Sequence, residues 1–102
     1  SDAGRRIAVL GEMAELGPNS IEYHTALAQQ IVREPIDRVY ALGALYDGFW
    51  DLLPGARKAA RPCSLEELQD ALFADLADGD VVLFKGSHST GLHQIISQII
   101  DR

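Results

Sequence analysis

The segment Lys85-Gly86-Ser87-His88-Ser89-Thr90-Gly91 joins a short apolar run to a helical pattern. A loop in that place turns backbone N–H groups toward whatever lies beyond the strand, and the helix that follows adds partial positive charge there. Lys85 would stand at the strand's end with its ammonium able to meet an anion, and the hydroxyls of Ser87, Ser89 and Thr90 add donors. His88 lies in the same loop. The set suits a carboxylate or a phosphate. Lys85 is also one of only two lysines, the remaining cationic positions being arginine. The alternative is a solvated turn in which Ser or Thr caps the final helix. The segment is not a Walker A loop, because that motif places its lysine after the second glycine and here the lysine comes first.

A second stretch, Gly11-Glu12-Met13-Ala14-Glu15-Leu16-Gly17-Pro18-Asn19, holds two carboxylates. Glu12, one residue past a strand end, is the better placed to face a ligand, a metal-bound water or an amine. The alternative is a surface loop that tucks Met13 and Leu16 into the core. His24 sits early on the next helix and reads either as a satisfied, partly buried side chain or as an outlying member of the site. His88 and His93 are five apart and share no helix face suited to a metal. No Ser–His–Asp triad can be assembled from spacing, since triads are defined by geometry. Tyr46, Phe49 and Trp50 cluster at core or domain-contact spacing rather than as a platform for stacking bases.

These residues need elements to hold them. Ile7-Ala8-Val9-Leu10, ending at Gly11, reads as a strand buried on both faces. Asn19 with Glu22 resembles a capping box, and the helix it opens carries Tyr23, Leu27 and Ile31 on one stripe before Pro35 ends it. Val39-Tyr40-Ala41-Leu42 is a second strand, followed by a short helix from Ala44 to Leu53 and an edge-like strand from Arg57 to Ala60. Ser64-Leu65-Glu66-Glu67 is a full capping box ahead of Leu65, Leu68, Leu72 and Leu76 at helical spacing. Asp78-Gly79-Asp80 turns the chain into a buried strand, Val81-Val82-Leu83-Phe84, and a last helix lines up Leu92, Ile95, Ile96, Ile99 and Ile100. The alternation predicts an α/β fold: a three-layer, Rossmann-like, mostly parallel sheet of about four strands with helices on both faces. In such sheets ligands bind beyond the carboxyl ends of the strands, where the Glu12 and Lys85 loops both fall.

At 102 residues the chain is expected to form one domain over its whole length. Fifteen acidic against nine basic residues give a net charge of −6, the wrong sign for nucleic acid or an anionic membrane as main partner. The single cysteine, Cys63, rules out an internal disulfide and a cysteine-cluster metal site. No apolar run approaches the length of a membrane span and no signal-peptide pattern opens the chain, so a cytoplasmic setting is the expectation.

Two segments carry a family resemblance. Val9-Leu10-Gly11-Glu12-Met13-Ala14-Glu15-Leu16-Gly17 is similar to the V-x-G-[DE]-M-x-E-L-G segment of the Mur ligases that add D-alanyl-D-alanine to UDP-N-acetylmuramoyl-tripeptide, and Ser20 and His24 follow as in that family. Asp80-Val81-Val82-Leu83-Phe84-Lys85-Gly86-Ser87 resembles its G-D-x-V-L-x-K-G-S segment. After that segment the family carries an arginine where His88 stands, and a glutamate near His93 and Gln94. The family's upstream strand with Asp-Asp-x-Tyr-Asn-Ala-Asn-Pro, its N-terminal domain and its central ATP-loop domain are not in this sequence. The resemblance therefore implies a C-terminal domain of an ATP-dependent amide ligase of peptidoglycan synthesis, inactive on its own. It implies ATP and Mg2+ bound mainly by a central domain, with the central and N-terminal domains, UDP-muramoyl tripeptide and D-alanyl-D-alanine as partners. Lys85, Ser87, Glu12, His24 and His88 are the residues it places toward substrate or nucleotide, with no metal ligand among them. The competing expectations are the C-terminal domain of another Mur or folylpolyglutamate-type ligase, and a non-catalytic α/β binding module.

Overall fold

The run Ile7-Ala8-Val9-Leu10 is the centre of the molecule. In the computed structural model, which describes residues 4–12, 20–86, 91 and 93–96, it forms strand β1 (Arg6–Gly11), with Ile7, Ala8, Val9 and Leu10 fully buried. A strand without one polar face must be covered on both sides, and β1 is. Helix α1 (Ser20–Arg33) returns the chain to β2 (Arg38–Leu42). A single 3-10 turn (Ala44–Tyr46) leads into helix α2 (Asp47–Leu52), and a second (Gly55–Arg57) leads into β3 (Lys58–Ala60). Helix α3 (Leu65–Asp75) and β4 (Val81–Lys85) follow, and positions 93–96 are helical.

The strands are parallel in the order β3-β2-β1-β4. Alternation along β1 and β2 sends neighbouring residues to opposite faces, which splits the core in two. Ala8, Leu10, Val39 and Ala41 pack with Leu27 and Ile31 of α1 and with Tyr46, Phe49 and Leu53. Ile7, Val9 and Tyr40 pack with Leu68 and Leu72 of α3 and with Ile95. The three-layer parallel architecture read from the sequence is the one observed, and β3 lies at an edge as its short, weakly apolar run suggests.

Two details differ. The apolar run Val81–Phe84 reads as a buried strand, yet β4 is the other edge of the sheet and its exposure alternates, with Val81 61% and Leu83 38% exposed. An uninterrupted apolar run cannot by itself tell a central strand from an edge strand whose second face is uncovered. The expected helix from Ala44 also begins as a 3-10 turn, and α2 proper starts only at Asp47. Of the expected last helix, Leu92, Ile99 and Ile100 lie outside the described residues, while Ile95 is buried in the second core.

The sheet's amino end is tied by charge. The Arg5 guanidinium reaches Asp75 Oδ1 at 2.9 Å and Asp80 Oδ2 at 2.7 Å, and also donates to the Asp75 carbonyl at 2.6 Å. Arg38 Nε and the Tyr40 hydroxyl donate to Asp75 Oδ2 at 3.2 and 2.7 Å. Strands β1 and β2, the last turn of α3 and the entry to β4 thus share one network. Its residues come from three stretches far apart in the chain, around Arg5, Arg38 and Asp75–Asp80, so no local motif announces it.

Candidate functional site at the carboxyl ends of the strands

Parallel strands end on one side, so Glu12, Gly43, Arg61 and Lys85 mark one edge of the sheet, just beyond or at the ends of β1, β2, β3 and β4. Lys85 is exposed and registers with Leu10, which places its side chain on the same face of the sheet as Leu10, a face that α1 covers over β1 and β2 and leaves open at β4. Glu12 stands two residues further along β1's path. The two residues of opposite charge singled out from the sequence are therefore brought to adjacent strand ends.

Glu12 is half-buried and already engaged. Its Oε2 accepts the Leu45 backbone N–H at 2.8 Å, which ties the end of β1 to the 3-10 turn that follows β2. Tyr46, in the same turn, fastens the strand a second time by donating its hydroxyl to the Gly11 carbonyl at 2.8 Å. Tyr46 is fully buried. Burial pushes its phenol well above the ordinary value, and the charges of Tyr23 and Glu12 push the same way. His24 is fully buried too, and it meets the Tyr46 ring edge-on with centroids 4.8 Å apart. Its ring also meets Tyr23 edge-on, with centroids 5.5 Å apart. Ser87, His88 and the stretch 13–19 lie outside the described residues.

Arg61 shapes the far side of this edge. It donates to the carbonyls of Ala41 at 3.2 Å and Gly43 at 2.9 Å, pairs with Asp47 at 2.6 Å, and lies 5.7 Å over the Trp50 ring. With Leu42, Ala44, Asp47 and Cys63 it lines a cavity of about 290 Å³ next to the Glu12 turn. No motif in the sequence singles out Arg61. Asking which charged residue follows each strand end finds Glu12 and Lys85, and asked of β3 it finds Arg61. Among the described residues no group of three His, Cys, Asp or Glu side chains gathers where a metal ion could sit, and no helix is long and apolar enough to cross a membrane.

Comparison with known proteins fits this geometry. The family model described as "Mur ligase, glutamate ligase domain" matches residues 1–88. Over 98% of its length the chain is 36% identical to the UDP-N-acetylmuramoyl-tripeptide–D-alanyl-D-alanine ligase of Mycobacterium leprae, of which it covers 20%. It is 30% identical over 96% of its length to the ligase of the same name from Bacillus subtilis, covering 22% of that protein. The chain thus spans about a fifth of the length of the curated relatives it matches. Among solved structures it resembles the MurF ligase of Thermotoga maritima in complex with ADP, with a TM-score of 0.67 and 28% identity over 92% of this chain and 21% of that one. The fold also matches MurF of Acinetobacter baumannii, with a TM-score of 0.72 and 22% identity over 97% of this chain and 23% of that one. The chain belongs to the Mur ligase family and has the fold of that family's glutamate ligase domain.

Proposed function

We propose that the chain is the C-terminal domain of an ATP-dependent ligase that joins D-alanyl-D-alanine to UDP-N-acetylmuramoyl-tripeptide in the cytoplasm. The observation that carries the reading is the match, along nearly the whole chain, to ligases of that name. The strand-end geometry supports it. A dipeptide that brings an amine to the reaction and trails a carboxylate calls for one group of each sign, and Glu12 and Lys85 supply them at neighbouring strand ends. Glu12 orients the amine, and Lys85 holds the dipeptide carboxylate or a nucleotide phosphate, with Ser87 and His88 in the same loop. His24 packs edge-on against Tyr46.

The nucleotide makes the acceptor carboxylate reactive when it is bound. Its Mg2+ is assigned to the central domain and the nucleotide phosphates, as the family resemblance implies. The share of this domain is to position reactants and to place fixed charge where charge develops. By itself the chain should not hydrolyse ATP.

The test is Lys85→Ala in the full-length ligase, followed by phosphate release at varied dipeptide. A lysine that meets substrate or nucleotide in the transition state should cost on the order of 10²-fold in kcat/KM, about 2.7 kcal/mol. Lys85→Arg should rescue only in part, because a planar fork does not replace a compact ammonium. Kinetics within about twofold of the parent would remove Lys85 from the site.

A further inference from the structure

Glu12 reaches the Leu45 N–H by crossing from the end of β1 to a turn 33 residues later. The crossing passes directly over Gly43. A Cβ added there would overlap Cγ and Cδ of Glu12 and lie 2.6 Å from Oε2. Gly43 also has φ of 124°, a region that side chains other than glycine's rarely adopt. The peptide at Gly43 is held from the other side as well, since its carbonyl accepts from Arg61 Nη2 at 2.9 Å and from the Tyr46 N–H at 3.2 Å. With the backbone held there and the far end of a flexible side chain opposite it, Glu12 is the group that would have to move.

We propose that Gly43 is a positioning residue for Glu12: its missing side chain leaves the room in which that carboxylate lies against the Leu45 N–H. The functional half of this rests on the reading of Glu12 as the group that orients the dipeptide amine. The geometric half does not, and the two halves are tested apart.

The first arm uses the 102-residue chain and the Leu45 amide as reporter. In Glu12→Ala, and in Glu12→Asp, which is one methylene too short, the Leu45 N–H should lose its downfield proton shift. Its hydrogen exchange should quicken by about tenfold or more, because a bond to a charged acceptor is lost. Gly43→Ala should do the same. A Leu45 amide that responds to Glu12→Ala and ignores Gly43→Ala overturns the proposal. Gly43→Ala also strains the backbone, so stability is read as a cycle. The substitution should cost clearly less in the Glu12→Ala background, where the clash is gone, than in the parent. Equal costs overturn the proposal. If Gly43→Ala alone does not fold, folding of the double variant supports the proposal, and failure of the double variant overturns it.

The second arm is kinetic, in the full-length ligase. Glu12→Ala and Gly43→Ala should each raise KM for D-alanyl-D-alanine by about tenfold with KM for ATP unchanged, and the double variant should be no worse than either alone. A general loosening of the domain would not single out one substrate. If Glu12→Ala leaves the dipeptide KM within about twofold, the assignment of Glu12 to the amine falls, and the functional half of the proposal with it.

Discussion

Removing the phenolic oxygen of Tyr46 would deprive the Gly11 carbonyl of a buried donor at the point where β1 gives way to the Glu12 loop. A buried polar group that loses its hydrogen bond costs about 1–3 kcal/mol. Tyr46→Phe should therefore lower Tm by several degrees, at roughly 4–8 °C per kcal/mol for a domain near this size. Thermal unfolding followed by circular dichroism measures it. The ring still fills its place against His24 and Phe49, so the packing remains and the loss belongs to the hydroxyl. A fall in Tm of under about 1 °C would mean that the hydroxyl adds little to what the β2 ladder and Glu12 already hold. At this scale the sequence shows only part of the arrangement at the strand ends. Glu12 and Lys85 could be found because each stands at the end of an apolar run. That Glu12 is bonded to Leu45, and that His24 packs against Tyr46, depends on β2 lying beside β1, which no spacing within either segment encodes.

Helix α3 shows how much an element owes to local residues. The Ser64 hydroxyl accepts the Glu67 N–H at 3.1 Å, as a capping box requires. The return bond lands one residue early, with the Glu67 carboxylate accepting the Cys63 N–H at 3.2 Å rather than that of Ser64. Ser64→Ala should cost about 1 kcal/mol, seen as a lower urea midpoint at unchanged m-value. A change in m-value would instead point to altered compactness of one of the two states. The helix is legible because its cap, its leucine stripe and its stop are all local. The exposure of strand β4, though not the strand itself, escapes the sequence for the opposite reason. Its four apolar residues look alike from the sequence, and only the order β3-β2-β1-β4 leaves Val81 and Leu83 on an open face.

For the molecule as a whole, acid should act through the network around Arg5. Hydrogen bonds from Arg5 and from the Ala77 N–H hold the Asp80 carboxyl down at about 2. Burial pushes the Asp75 carboxyl up, but hydrogen bonds from Tyr40, Arg5 and Arg38 outweigh it and leave the group below its usual value. An unfolded aspartate titrates near 3.9. The folded state thus binds these protons less readily, so the stabilisation is fully present above about pH 4 and drains away as pH falls toward about 2. Tm measured from pH 7 to 2 should drop steeply in that lower window. Asp80→Asn should start from a lower plateau and fall more gently. A variant with the parent's acid slope would show that Asp80 does not carry the effect.

The same wiring has a consequence for how the polypeptide is made. Strand β1 is the inner strand flanked by β2 and β4, and its bonded partners at the entry to β4 lie 75 residues further along the chain. At roughly 5–20 residues per second, a ribosome needs about 4–15 s to deliver them. Through that interval the nascent segment Ile7–Leu10 can pair with β2 on one side only. Its other edge stays open throughout, and the apolar face that α3 covers stays open until Leu65–Asp75 is made. The most deeply buried strand of the finished domain is thus the one that waits longest for shelter, and a chaperone that recognises bare parallel edges would find its target there until Val81–Lys85 emerges.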